Sequence, residues 1–328
     1  MHRCLELAER GRGKTGLNPL VGAVLVRGDQ IIAEGWHSEF GCDHAERDLI
    51  TKFDQDIQQE DALYVNLEPC IHQGKTPPCT ELIIEKGIKK VVFGMLDPNP
   101  IVAGQGIQAL IDHGVEVIGQ VERARCERLN RGFTSFVRKG RPWITLKRAQ
   151  TKDGKIANKD GSPLKITTEE QDQWSHEWLR AKHDAVLVGV ETVIRDDPQL
   201  TVRLKNKNIV QVNSLRIVLD PNCRTPDNAR ILNDGTIIVV ASGADVPQAI
   251  RKSGVKIIEA SVTDGVFEFS DLWDALITPA DDFNGITSIL VEGGPKTWNT
   301  FKGQGIVDEE VILIGKRTCL SEELKLNI

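Results

Sequence analysis

One histidine, two cysteines and a glutamate carry the most specific chemistry available to this chain. His44 and Glu46 are one residue apart, and Cys70 and Cys79 follow with eight residues between the two thiols. One imidazole and two thiolates are three ligands of the kinds zinc takes, and they leave a tetrahedral ion one position for water. A water held there ionises with a pKa of roughly 7. Glu46 then has a task, which is to take and hand on the water's proton. A structural site would be closed by a fourth ligand, and His72 or Cys42 could supply it. A closed site has no use for Glu46, so the residues favour hydrolytic catalysis over a scaffold.

The surrounding pattern places these groups. The segment after Asp43 reads as a helix to about Phe53. Two residues on a helix are about 200° apart around the axis, so His44 and Glu46 can share a site only at the first turn. Before it, Val21 to Val26 and Ile31 to Gly35 form a hairpin about Gly28-Asp29. Ala62 to Leu67 is a strand leading into Glu68-Pro69-Cys70. Cys79 opens a helix through Lys86, where the dipole favours a thiolate. A short helix over residues 2 to 10, strands Lys89 to Met95 and Val115 to Ile118, and a helix Gly106 to His113 complete a mixed sheet with helices on both faces. Val121 to Lys139 reads as one helix. Gly140-Arg141-Pro142 is the best boundary, which gives domains of residues 1–140 and 141–328.

The second half alternates strands and helices again. Trp143 to Ala149 and Ala185 to Val190 are strands, with Thr168 to Lys182 helical between them. The run Arg195 to Arg203 reads as a loop into an edge segment. Leu215 to Asp220, Thr236 to Ala241, Val255 to Glu259 and Ser288 to Glu292 are strands. After the last of these, Gly293-Gly294 turns into a helix through Phe301. A strand, Gly-Gly and a helix N-terminus together can cradle a phosphate.

Composition narrows the partners. The 328 residues carry a formal charge of -6, with a pI near 5.7, and no aromatic-rich basic stretch. That argues against nucleic acid and for a small-molecule substrate. No apolar run is long enough for a membrane helix, and the charged first ten residues lack a signal-peptide core. The seven cysteines are scattered and odd in number, which fits free thiols and metal ligands in a reducing, cytoplasmic compartment.

His44-Ala45-Glu46 with Pro69-Cys70 and a second cysteine is similar to the zinc-dependent nucleobase deaminases, although those keep two residues between the cysteines. The longer run Glu68-Pro69-Cys70-x-His72-x-Gly74-Lys75-Thr76-Pro77-Pro78-Cys79, with Asp97-Pro98-Asn99-Pro100-x-Val102-x-Gly104-x-Gly106, resembles the bifunctional deaminase/reductase family of riboflavin biosynthesis. So do Asp153-Gly154-Lys155-Ile156-Ala157, Val188-Gly189-x-x-Thr192, Asp196-x-Pro198-x-Leu200-Thr201-Val202-Arg203 and Val291-Glu292-Gly293-Gly294. The resemblance runs from about Leu5 to Ile314. It implies a cytidine-deaminase-like domain followed by a dihydrofolate-reductase-like α/β domain, with Zn2+ and NADPH as cofactors. It also implies a phosphorylated pyrimidine as substrate and a homo-oligomeric enzyme.

In that frame Asn18, His37, His72 and Lys75 would line the deaminase pocket, with Lys75 as a point charge for phosphate. NADPH would lie near Ala149, Lys165, Thr192, Asp196, Gly293 and Gly294. The sugar-phosphate substrate would meet Arg180, Leu200, Arg203 and Glu292. The chain departs from the family pattern at Leu17 and Ile71, where Pro and Ser are usual. It departs again at Pro163 and Lys165, where Ser and Trp are usual, and its carboxyl end is short and polar. The expected activity is zinc-dependent hydrolytic deamination of a phosphoribosylamino-diaminopyrimidinone, then NADPH reduction of the ribosyl group to ribityl. The alternative keeps the deaminase and reads the second domain as a degenerate scaffold.

Overall fold

The computed structural model describes residues 1–72, 77–156, 165–207, 209–210, 214–280, 283–315 and 317–319, the last three by backbone alone. Lys75, in the long loop between the two cysteines, and Pro163 lie outside the described residues. The chain divides into two compact units. One is Met1–Arg141 together with Pro279–Thr287, and the other is Pro142–Thr278 together with Ser288–Ile328.

The first unit starts with α1 (His2–Glu9), β1 (Gly22–Arg27), β2 (Gln30–Trp36) and α2 (Ala45–Lys52). It continues with β3 (Ala62–Leu67), α3 (Cys79–Glu85), β4 (Lys90–Met95), α4 (Gln105–Asp112) and β5 (Glu116–Ile118). Helices α5 (Arg123–Leu129) and α6 (Arg131–Lys139) close it. The sheet order is β2-β1-β3-β4-β5. The hairpin and the β1–β3 pair are antiparallel, and β3, β4 and β5 are parallel. Alternation along β1 divides the core. Ala23 and Leu25 join the large cluster with Leu49, Leu63, Ile83 and Leu110, while Val24 faces Cys4 and Leu7 of α1. Gly35 lets α2 lie directly on β2, since a Cβ there would come within 2.6 Å of the Ala45 carbonyl.

The single helix expected over 121–139 is two helices broken at Asn130. The reason is a buried backbone need. The Leu20 N–H donates to Asn130 Oδ1 at 2.8 Å, and Asn130 Nδ2 donates to the Leu20 carbonyl at 3.0 Å. Asn66 serves the same stretch, accepting the Gly22 N–H and donating to Leu20. These two amides hold the segment just after Asn18. Replacing Asn130 by Ala orphans the Leu20 N–H in the interior, and we expect a loss of about 1–3 kcal/mol in denaturant unfolding.

The second unit contains β6 (Trp143–Gln150), α7 (Glu169–Trp174), β7 (Ala185–Gly189), α8 (Val190–Asp196), β8 (Leu215–Leu219) and β9 (Thr236–Ala241). It goes on through α9 (Gln248–Lys252), β10 (Lys256–Ala260), the small β11 (Val262–Thr263) and β12 (Val266–Phe267) pair, and α10 (Phe269–Ile277). Then come β13 (Ser288–Val291), α11 (Pro295–Gly303), β14 (Glu309–Ile314) and β15 (Arg317–Cys319). The main sheet runs β10-β9-β8-β7-β13-β6-β14-β15. Only the β14–β15 pair is antiparallel. Where a loop was expected from Arg195, α8 runs from Val190 to Asp196, and no edge strand follows it among the described residues. Val190 and Val193 supply the reason, because both are buried in the core on one side of that helix.

Strands β7, β13 and β6 are adjacent and parallel, so Gly189, Val291 and Gln150 end on one edge of the sheet. The crevice beyond the carboxyl ends of parallel strands is where open α/β sheets place their ligands.

Candidate active sites

In the first unit, three short-range features bring the ligand set together. His44 is the N-cap of α2, with extended backbone (φ -66°, ψ 156°), and Glu46 lies inside the first turn. Cys70 lies just past the end of β3, and Cys79 is the first residue of α3. His44 Nδ1 is 3.4 Å from Cys70 Sγ and 3.5 Å from Cys79 Sγ. All three ligand atoms lie within 4.8 Å of one another. A tetrahedral zinc with ordinary Zn–S and Zn–N lengths would separate its S and N ligands by roughly 3.6 Å. The donor set therefore fits zinc in both chemistry and spacing.

The electrostatics agree with that donor set. The Cys70 thiol is brought down to about 4, first by the hydrogen bond from the Cys79 thiol, then by His44 and the Cys79 N–H. The Cys79 N–H lies 3.3 Å from the Cys70 sulfur. Cys79 is raised because it keeps the proton the pair shares. Glu46 is 4% exposed. Burial, and then the Cys70 charge, push its carboxyl up to about 7, a range suited to a group that must both take and give a proton.

Asn18 and His37 complete the wall. His37 Nδ1 is 3.0 Å from the Asp43 carbonyl, which can only accept, so Nδ1 carries the proton. The other nitrogen then accepts from Asn18 Nδ2 at 3.1 Å. That assignment leaves the Asn18 amide oxygen as an acceptor for an incoming amino group. The His37 ring meets His44 edge to face at 5.9 Å, and burial lowers its pKa. His72 is exposed.

A residue whose role the sequence left unassigned braces this wall. The buried Glu68 carboxylate accepts backbone N–H groups from Asp97, Gly104 and Gly106 at 3.0–3.1 Å. It ties the Asp97-Pro98-Asn99-Pro100 loop to the strand end that carries Cys70.

In the second unit, α7 begins with a Thr168–Gln171 capping box and runs on as a π-helical turn, Ser175–Leu179, and a 3-10 turn, Arg180–Lys182. These turns aim Arg180 at Glu292, at the end of β13. Arg180 Nε and Nη2 donate to the two Glu292 oxygens at 2.8 and 2.9 Å, and Nη1 donates to the Thr201 carbonyl at 3.1 Å. Lys147 Nζ is 3.8 Å from the same carboxylate. Burial alone would raise Glu292, but the charges of Arg180 and Lys147 outweigh it and hold the carboxyl well below the usual range. Lys147 was not singled out in the sequence, yet it alternates with Ala149 on β6 and so shares its face.

A cleft of about 180 Å³ is lined by Arg180, Asp196, Leu200, Thr201, Arg203 and Arg230, among others. Leu200 is buried in a left-handed conformation, φ +52°. Arg180, Asp196, Leu200 and Arg203 thus meet in one place, with Glu292 on Arg180. Arg230, scattered far along the chain, had no local pattern to reveal it. Ala149 and Thr192 are half-buried, on β6 and α8. Lys165 is an exposed partner of Asp172.

The Gly-Gly turn leads directly into a helix N-terminus. Nothing lies within 4 Å of a Cβ built on Gly294, the N-cap of α11, so the backbone there is open to a ligand. A Cβ on Gly293 would come within 2.5 Å of Thr297 in the helix's first turn, so only glycine lets strand end and helix approach this closely. The cradle fits an anionic group at a helix N-terminus.

Fold and sites together define a zinc-dependent nucleobase deaminase joined to a nucleotide-dependent reductase. Comparison with known proteins agrees. Residues 1–95 match the cytidine and deoxycytidylate deaminase zinc-binding region, and residues 142–316 match the RibD C-terminal domain. The riboflavin biosynthesis protein RibD of Aquifex aeolicus is 38% identical over 97% of this chain and 86% of its own length. The Bacillus amyloliquefaciens protein of the same name is 40% identical over 94% of this chain and 81% of its own. Two solved structures superpose with TM-score 0.78. Acinetobacter baumannii RibD is 33% identical, covering 98% of this chain and 86% of the other. The Thermotoga maritima diaminohydroxyphosphoribosylaminopyrimidine deaminase/5-amino-6-(5-phosphoribosylamino)uracil reductase is 38% identical, covering 96% and 85%. The chain belongs to the RibD family of riboflavin biosynthesis, bifunctional enzymes that use zinc for deamination and NADPH for reduction. Among the described residues no helix is long and apolar enough to cross a membrane.

Proposed function

We propose that residues 1–140 deaminate 2,5-diamino-6-(5-phosphoribosylamino)pyrimidin-4(3H)-one and that residues 141–328 reduce the ribosyl group of the product to ribityl. The observation that carries this is the trio His44, Cys70 and Cys79, with Glu46 buried beside it, on the same chain as the Arg203 cleft and the Gly293-Gly294 cradle.

In the first reaction His44, Cys70 and Cys79 would hold the zinc, which when bound would acidify a water to near-neutral pKa. Glu46, buried beside the ligand set, would carry two protons in turn: one from the water to a ring nitrogen as the C–O bond forms, and then one from the added hydroxyl to the amine, whose C–N bond breaks to release ammonia. The Asn18 amide oxygen, set by His37, accepts from the substrate's amino groups. His72 and Lys75 serve the substrate's outer, phosphate-bearing end.

In the second reaction Gly293, Gly294, Ala149, Thr192 and Asp196 would hold NADPH, which when bound would supply the hydride. Arg203 takes the substrate's phosphate, because Arg180 is already committed to Glu292. Glu292, ionised and fixed by Arg180, accepts from the sugar's hydroxyls. We further read the enzyme as a cytoplasmic homo-oligomer.

Metal analysis tests the first half directly. We expect one zinc per chain in the wild type, and loss of most of it in Cys70→Ser and in Cys79→Ser. Full zinc in both variants would place the metal elsewhere.

A further inference from the structure

His176 belongs to no motif, and its position is unusual. It lies in the π-helical turn Ser175–Leu179, and π-turns in helices recur at functional sites. His176 is 7% exposed. Both of its nitrogens face donors from Arg203. The Arg203 backbone N–H points at Nδ1 at 3.2 Å, and Arg203 Nη2 lies 3.1 Å from Nε2.

A neutral imidazole has one donor and one acceptor. The backbone N–H cannot turn away, so Nδ1 must be the acceptor and Nε2 carries the hydrogen. The ring therefore holds the Arg203 main chain and offers the guanidinium no acceptor. Gln173 Nε2 grips the same residue from the other side, donating to the Arg203 carbonyl at 3.3 Å. The arrangement requires a neutral ring. Burial and the charges of Arg180 and Arg203 provide it, bringing His176 down to about 4.

We infer that His176 is a positioning residue for the reductase half: through Nδ1 it pins the Arg203 backbone and leaves the guanidinium free for the substrate's phosphate. The inference rests on the reading of Arg203 as the phosphate ligand, and the variants below separate the two.

The test compares asparagine with glutamine at this position. In His176→Asn the shorter amide lies near the place of Nδ1 and can still accept the Arg203 N–H. In His176→Gln the longer amide reaches the place of Nε2 instead. With the deaminated intermediate supplied directly and NADPH saturating, we expect His176→Gln to raise KM for the intermediate roughly five- to tenfold. The turnover number and the KM for NADPH should change less than about twofold, within the additivity error of distant sites. His176→Asn should stay near the wild type. In an Arg203→Ala background, where KM is already raised, His176→Gln should add nothing, because the two changes remove one interaction. An unchanged KM in Arg203→Ala would overturn the phosphate reading and the inference with it. A raised KM in Arg203→Ala, with His176→Gln and His176→Asn alike or with additive effects in the double variant, would overturn the inference alone.

Discussion

Glu46→Gln loses deamination by a factor of about 10²–10⁴ while its zinc content stays at the wild-type level. Gln fills the same buried volume and can keep a hydrogen bond to its neighbours, but it cannot carry a proton between water, ring and amine. Glu46 is not one of the three ligands, so the metal has no reason to leave. Its position also separates catalysis from binding. It sits inside the first turn of α2 while His44 caps that turn, so substitution disturbs neither the cap nor the strand end that carries Cys70. Ammonia release followed by a coupled assay, with zinc measured on the same sample, checks both halves. Near-normal ammonia release would remove Glu46 from the mechanism.

The second large effect is on stability. Arg180→Met leaves the buried Glu292 carboxylate with Lys147 at 3.8 Å as its remaining cation. Removing one partner of a buried ion pair costs about 3–5 kcal/mol, because the other charge stays behind undercompensated. Denaturant unfolding at neutral pH should show that loss, and reduction should fall with it. Replacing both partners, as Arg180→Met with Glu292→Leu, should restore much of the stability but not the reductase activity.

The pH dependence has a definite sign. Glu292 in the folded protein is held below the usual carboxylate range. Its contribution is therefore fully present above the unfolded pKa of about 4.3 and is lost as pH falls through the folded value. In Arg180→Met the carboxyl instead rises, so the deficit against wild type should shrink on acidification. A deficit that does not change between about pH 7 and pH 4 would mean that Glu292 is not the charge being compensated.

The sequence disclosed those parts of the site that rest on local rules. His44 and Glu46 can cooperate only at a helix start, and they are found there. The Gly-Gly turn between β13 and α11 follows from strand, glycine and helix signals in order. The rest depends on partners far along the chain. Nothing near Asn130 says that Leu20 needs its amide, so the break between α5 and α6 was hidden. Glu68 stood in plain view in its motif, but its role lies in N–H groups beyond position 96 that only the folded loop presents. His176 depends on a π-turn, which carries no periodicity signal. No local pattern marks Pro279–Thr287, which falls in the first unit, where the Asn284 carbonyl accepts the Leu17 N–H at 3.2 Å beside Asn18.

The central claim is that one chain performs two successive reactions, and a single time course tests it. The purified protein is given the phosphoribosylamino-diaminopyrimidinone with and without NADPH, and ammonia and NADPH absorbance are followed together. The account predicts ammonia release at the same initial rate in both samples, with NADPH oxidised only after ammonia appears and approaching one per ammonia. Ammonia release with no NADPH oxidation, even when the deaminated intermediate is added directly, would contradict it and leave a deaminase with a reductase-like scaffold.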